Sequence, residues 1–165
     1  MATIDIQFDA NALYCPSSNG AAMRLLEGAT VKTFVRSFDS ATEEFAHGKL
    51  RLPVDFDTGG TVSFIAAVLA ETAASGKNVS HRFGHRAICD SESFDGSYAN
   101  ANSGDKAIDA TQNDVSLHAW SVAAANLGWM PGDLVLFRYS RIAASANNLP
   151  GDMHLLLLTI KIPVS

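Results

Sequence analysis

The feature that most constrains this chain is alternation. Short runs in which apolar and polar residues take turns recur along much of it, separated by glycine, aspartate and asparagine. A period of two sends successive side chains to opposite faces of a strand, so each run reads as a strand with one buried face. Ile4, Ile6 and Phe8 alternate with Thr3, Asp5 and Gln7, and Val31, Thr33 and Val35 oppose Lys32, Phe34 and Arg36. Phe45 to Leu52 forms a third strand, stopped by Pro53. Val79, His81, Phe83, His85 and Ala87 share one parity, with Ser80, Arg82, Gly84 and Arg86 on the other, a strand whose second face is basic. Leu134 to Ile142 is β-rich. Met153 to Val164 is apolar on both parities, which suits a central strand covered on both faces.

Thr61 to Thr72, after the turn Asp55-Phe56-Asp57-Thr58-Gly59-Gly60, is ambiguous by period. Val62, Ile65, Ala66 and Leu69 fit a helix face, while Val62, Phe64, Ala66 and Val68 fit a strand face. With about eight strands and fairly regular turn signals, the expected fold is all-β, an antiparallel jelly-roll-like sandwich. Its core is expected to hold Phe64, Val135, Leu156, Leu158 and Ile160. Two stretches lack a period. Asp9 to Ala29 contains Cys15-Pro16-Ser17-Ser18-Asn19-Gly20 and reads as a loop or extended arm. Asp90 to Asp114 is a polar insertion, longer than most loops in a compact domain. The expected organisation is an N-terminal strand and arm over residues 1–29 and a sandwich over residues 30–165.

Composition narrows the function. The 165 residues are 47% hydrophobic and 18% charged, which excludes intrinsic disorder. Twelve Lys+Arg against 17 Asp+Glu give a net charge of −5 with no basic cluster, which argues against nucleic acid as a partner. No run of 18 apolar residues is present to span a bilayer. Met1 to Asp5 lacks the basic and apolar regions of a signal peptide, so Cys15 and Cys89 are expected as separate free thiols in a reducing cytoplasm.

No constellation supports an enzyme. His81 and His85 are four apart, but on a strand that spacing is ~13 Å, too far to chelate one ion. Asp55-Phe56-Asp57 begins like a calcium loop yet lacks the closing Glu, and reads as a turn. Asp90, Glu92, Asp95, Asp105, Asp109 and Asp114 could gather a hard cation, although a solvated loop is the simpler reading. Neither a Gly-x-Ser-x-Gly elbow nor a glycine-rich phosphate cradle occurs. Trp120, Trp129, Phe137 and Tyr139 could stack on a sugar, or fill the core. No cofactor or metal is expected.

Several segments carry a resemblance: Leu50-Arg51-Leu52-Pro53-Val54-Asp55-Phe56-Asp57, Val62-Ser63-Phe64, Gly76-Lys77-Asn78-Val79 and His118-Ala119-Trp120. Asn126-Leu127-Gly128-Trp129, Gly132-Asp133-Leu134-Val135, Phe137-Arg138-Tyr139-Ser140-Arg141 and Leu149-Pro150-Gly151-Asp152 extend it. In order and spacing, over roughly residues 30–165, they resemble virion structural proteins of tailed bacteriophages. The resemblance implies a jelly-roll domain and no catalytic residues. It also implies a capsid decoration (cement) protein on the outer surface of the head, a homotrimer bound to the major capsid protein and made in the host bacterial cytoplasm. The alternative is a head- or tail-fibre module recognising host surface glycans. Leu13, Tyr14, Met23, Leu25 and Leu26 of the arm, with Arg82 and Arg86 of the basic face, are the candidate partner-binding residues. The arm is expected to order against a partner; the competing arrangement packs it along the edge of its own sandwich.

Overall fold

A computed structural model describes residues 2–165. Ten strands form two antiparallel sheets: β1 (Ala2–Asp9), β2 (Ala22–Glu27), β3 (Lys32–Phe38), β4 (Ala46–Arg51), β5 (Thr61–Ala70), β6 (Asn78–Ile88), β7 (Ala99–Ala107), β8 (Ser116–Ala123), β9 (Leu134–Ile142) and β10 (Met153–Val164). A single helical turn, α1 (Ala124–Leu127), follows β8. The first sheet has the order β2-β3-β10-β5-β8, with β1 also on β10; the second has the order β4-β9-β6-β7. The expected jelly-roll-like sandwich is the architecture found.

The doubly apolar β10 is central. β5 runs along one of its edges. The other edge is shared, β3 pairing with Met153–Leu155 and β1 with Leu157–Val164. Thr61–Ala70 is therefore a strand, paired on both sides by β10 and β8. Phe64, Val135, Leu158 and Ile160 are fully buried as expected, but Leu156 is not in the core. A β-bulge between Leu155 and Leu157 reverses the parity, so Leu155 takes the buried position and Leu156 is half-buried.

Two further expectations are corrected. The polar insertion contains β7, an edge strand on β6. Its residues are mostly small and polar, and only Ala101 reaches the core, so hydrophobicity could not reveal it. Residues 9–29 are seated on the sandwich itself: β2 extends the first sheet beyond β3, and Tyr14 and Gly20 bridge to His47 and Phe45. Leu13 and Ala21 are buried, which anchors the segment. Its carbonyls converge on the buried Arg36, whose Nε donates to Ala10 O at 3.0 Å and whose Nη2 donates to Leu13 O. Arg36→Met would leave these acceptors unpaired. It is expected to lower the unfolding free energy by about 2–4 kcal/mol and to open residues 10–21 to protease, as urea titration and limited proteolysis would show.

Between the sheets the core is largely aromatic. Phe83 stacks on Phe137 at 5.0 Å and meets Phe64 at 4.5 Å, and Phe8 meets Phe137 edge-on at 4.9 Å. Within it runs a chain of polar groups whose proton positions are fixed by its end. Ala107 O can only accept, so His118 Nε2–H donates to it at 2.9 Å. His118 Nδ1 must then accept from His81 Nε2–H at 2.7 Å, and His81 Nδ1 from the Tyr139 hydroxyl at 2.6 Å. Each ring nitrogen is satisfied with both histidines neutral.

Candidate binding face

The outward face of the second sheet is assembled from the residues opposite in parity to the core. Ala46, Gly48 and Leu50 of β4 point inward, leaving His47, Lys49 and Arg51 outside, with Phe45 just before the strand. On β6, Val79, His81, Phe83 and His85 are buried, leaving Arg82 and Arg86 outside. Register then builds a row across the sheet: Tyr14 opposite His47, His47 opposite Arg138, Arg138 opposite Gly84, and Gly84 opposite Asn100. A parallel row sets Ser140 opposite Arg82 and Arg82 opposite Asn102.

Gly84 shapes the middle of this face. A Cβ there would lie 2.9 Å from Arg138 Cγ, so the missing side chain lets the Arg138 stem lie across β6. The Arg138 guanidinium carbon sits 4.5 Å from the Phe45 ring centroid and 4.8 Å from that of Tyr98, in cation–π geometry with both. His47 is next to this group, with ring centroids 5.5 Å from Tyr14, 6.2 Å from Tyr98 and 6.3 Å from Phe45. Burial, reinforced by the Arg138 charge, lowers the His47 pKa and keeps its ring neutral at pH 7. Burial raises the Tyr98 phenol, which keeps its proton as a donor.

The cations on this face differ in what they already hold. Arg82 is committed to Glu43 through contacts of 2.9 and 2.8 Å, and Glu43 also accepts from the Ser140 hydroxyl at 2.6 Å. Arg86 donates to Ser93 O at 3.0 Å, and Gly96 of the following loop lies directly over its guanidinium. Arg138 has neither kind of tie. Its Nε lacks a hydrogen-bond partner, as do those of Arg82 and Arg86, but its terminal nitrogens hold no oxygen either: among the described residues the ion pairs are made by Arg24, Lys32, Arg82 and Lys161. Shallow clefts flank the face, one beside Arg82 and Glu43 and one beside Arg51, Ile88 and Leu134.

The candidate residues from the sequence separate into three places. Tyr14, Arg82 and Arg86 come together on this face, and Leu13 is buried beneath it at 1% exposure. Met23 and Leu25 lie on the β2–β3 hairpin, where Leu25 pairs with the exposed Phe34, and Leu26 is half-buried on the same strand. The aromatic set considered for sugar stacking is core instead: Trp120, Trp129, Phe137 and Tyr139 are 7% exposed or less. The face uses Phe45, His47 and Tyr98, which sequence reasoning passed over. The parity of Ala46, Leu50 and Leu52 was the signal that would have placed Phe45 and His47 outside.

The acidic insertion works as a structural clamp. Asp105 accepts from the Ser80 and Ser145 hydroxyls at 2.7 and 2.5 Å and from two backbone amides, which hold its carboxyl below the usual range. Asp57 accepts from Gly59 N at 2.8 Å inside the expected turn. Among the described residues no group of three or more His, Cys, Asp or Glu converges as a metal site. Cys15 donates to Ala21 O at 2.8 Å, and Cys89 is exposed at the end of β6.

No family model matches the sequence, and no curated protein is similar to it. Solved structures similar to it include carbohydrate-binding modules and a virus. A xylan-binding module, CBM15, superposes with a TM-score of 0.52 at 10% identity, covering 99% of each chain. The CBM22-1–GH10 modules of Clostridium thermocellum endo-1,4-β-D-xylanase 10B, complexed with xylohexaose, give 0.50 at 11% identity, covering 94% of this chain and 27% of that one. A structure of infectious bursal disease virus, Gx strain, gives 0.44 at 8% identity, covering 100% of this chain and 34% of that one. At 10 and 11% identity the first two likenesses establish the β-sandwich fold. None of the three is a tailed-phage protein.

Proposed function

We propose that this protein is a non-catalytic module that binds polysaccharide on the outward face of β4-β9-β6-β7. The observation that carries the reading is the group of Tyr14, Phe45, His47 and Tyr98 gathered around Arg138 on one open sheet face. Aromatic rings offer flat apolar surface to the C–H faces of a pyranose, and the phenols, Asn100, Asn102 and the guanidinium offer hydrogen bonds to hydroxyls. An extended sheet face suits a polymer better than an enclosed small molecule. That one chain of similar fold is a xylan-binding module, and another belongs to a xylanase complexed with xylohexaose, supports the same choice. In the virion setting that the motifs of residues 30–165 resemble, such a module would be carried on a head or tail fibre and hold host surface glycan.

A second reading has its own observation. Met23, Leu25 and Phe34 share one face of the β2–β3 hairpin and are 38%, 47% and 47% exposed, with Val31 near its tip at 70%. A cement protein clamping capsomers, as a trimer or otherwise, would use such an apolar patch against protein. The two readings require different surfaces. Retention on insoluble host-wall polysaccharide, measured by depletion from solution, is expected for the wild type. Tyr14→Ala removes a ring that is 55% exposed. If it gives up ~50 Å² of apolar contact at about 25 cal/mol/Å², binding weakens about tenfold. Leu25→Ser should leave polysaccharide binding unchanged. Binding to purified capsids that is lost with Leu25→Ser and kept with Tyr14→Ala would favour cement instead.

A further inference from the structure

We infer that the polysaccharide held on this face is anionic, carrying carboxylate or sulfate groups, and that the Arg138 guanidinium receives one of them. This rests on the polysaccharide reading above and goes further by naming the ligand's charge. Nearly every buried or half-buried arginine of the chain already holds an oxygen: Arg36 and Arg141 hold backbone carbonyls, Arg82 holds Glu43 and Arg86 holds Ser93 O. Arg138 is half-buried with no such oxygen, although its Nε is shielded from solvent. The rings of Phe45 and Tyr98 lie 4.5 and 4.8 Å from its guanidinium carbon, so packing restricts the fork before any ligand arrives. A planar guanidinium matches the paired oxygens of a carboxylate or sulfate.

The surroundings point the same way. Lys49 and Arg51 stand exposed on the neighbouring strand, and Glu43 beside Arg82 is already neutralised. This local basic patch contrasts with a chain whose net charge is −5, which would repel polyanions elsewhere on its surface. Anion binding here therefore needs this patch, and a ligand able to use the rings as well.

The test is affinity electrophoresis of the full chain through gels containing polygalacturonate, dextran sulfate or neutral xylan. Poly-L-glutamate serves as an anion without sugar rings. Wild type is expected to be retarded most by one of the two anionic polysaccharides, which tells carboxylate from sulfate, and less by xylan and polyglutamate. Arg138→Gln should weaken that retardation by about tenfold or more, the loss of one charge-assisted hydrogen bond, and should weaken xylan retardation several-fold less. Arg138→Lys keeps the charge without the fork and should fall between the two. Unchanged circular dichroism and melting temperature confirm that the variants are folded. Equal retardation by xylan and the anionic polymers, equal retardation by polyglutamate, or no effect of Arg138→Gln overturns the inference and leaves the polysaccharide reading standing. Retardation by none of the polymers overturns both.

Discussion

Replacing Gly48 with alanine is expected to cost about 3 kcal/mol of stability, the upper end of the range for overpacking a core. Gly48 lies on the inward face of β4, directly opposite Phe137 of β9. A Cβ there would fall 2.3 Å from Phe137 Cζ and within 2.9 Å of both Cε atoms, far inside van der Waals contact. The ring has nowhere to go: it is fully buried, with Phe83 stacked on it at 5.0 Å and Phe8 against its edge at 4.9 Å. The clash can be relieved from the other side. Phe137→Leu shrinks the ring, so Gly48→Ala added to Phe137→Leu should cost little more than Phe137→Leu alone. The coupling energy is then on the order of 2 kcal/mol. Urea unfolding of the four proteins measures it. A neutral Gly48→Ala would show that the Phe137 ring is not held as described.

Acid is expected to unfold this protein through its histidines. His81 is fully buried and His118 is 4% exposed, and burial lowers both pKa values, that of His81 furthest. The charges of Lys106 and Arg141 around His81 are of the sign that disfavours its protonation, and a proton gained by His118 would add to them. The hydrogen-bond chain adds a geometric reason: protonated His118 would direct a second N–H at the His81 Nε2–H already pointing to it.

A depressed folded pKa means that the unfolded chain takes up protons, below its ordinary value near 6.5, that the folded chain refuses. Stability is therefore full above about pH 6.5 and falls as pH drops through that value, by about 1.4 kcal/mol per pH unit for each fully refusing histidine. His81 alone should remove about 2 kcal/mol by pH 5, with His118, His85 and His154 pushing the same way. Unfolding free energies from urea titration at about pH 7.5, 6.5, 5.5 and 5.0 should trace this decline. A flat profile would contradict the neutral chain.

The sandwich was legible because its strands bury one face each, and alternation reports burial. It failed where burial and parity part company. The β10 bulge moved the core position from Leu156 to Leu155, and a bulge leaves no mark in hydrophobicity when every neighbour is leucine. β7 escaped notice because an edge strand needs little apolar surface, and β2 because Ala22–Glu27 is mostly exposed and pairs through backbone. The basic side of β6 was plain from Arg82 and Arg86. The site was not plain, because its centre depends on register: only the pairing of Gly84 with Arg138, and of Arg138 with His47, brings the cation under the rings of Phe45 and Tyr98. Aromatic residues alone pointed to the wrong set, since Trp120, Trp129, Phe137 and Tyr139 have the core's parity.

The claim that polysaccharide is held on the outward face of β4-β9-β6-β7 is tested most directly by amide chemical shifts. At 17.5 kDa the chain suits two-dimensional nitrogen–proton spectra, titrated with oligosaccharides of the polymer that retards it most. The account predicts shifts concentrated at Tyr14, His47, Lys49, Arg86, Tyr98, Asn100 and Arg138, with the β2–β3 hairpin unmoved. Shifts confined to Met23, Leu25 and Phe34, or spread over the outer face of β10 and β5, would contradict it.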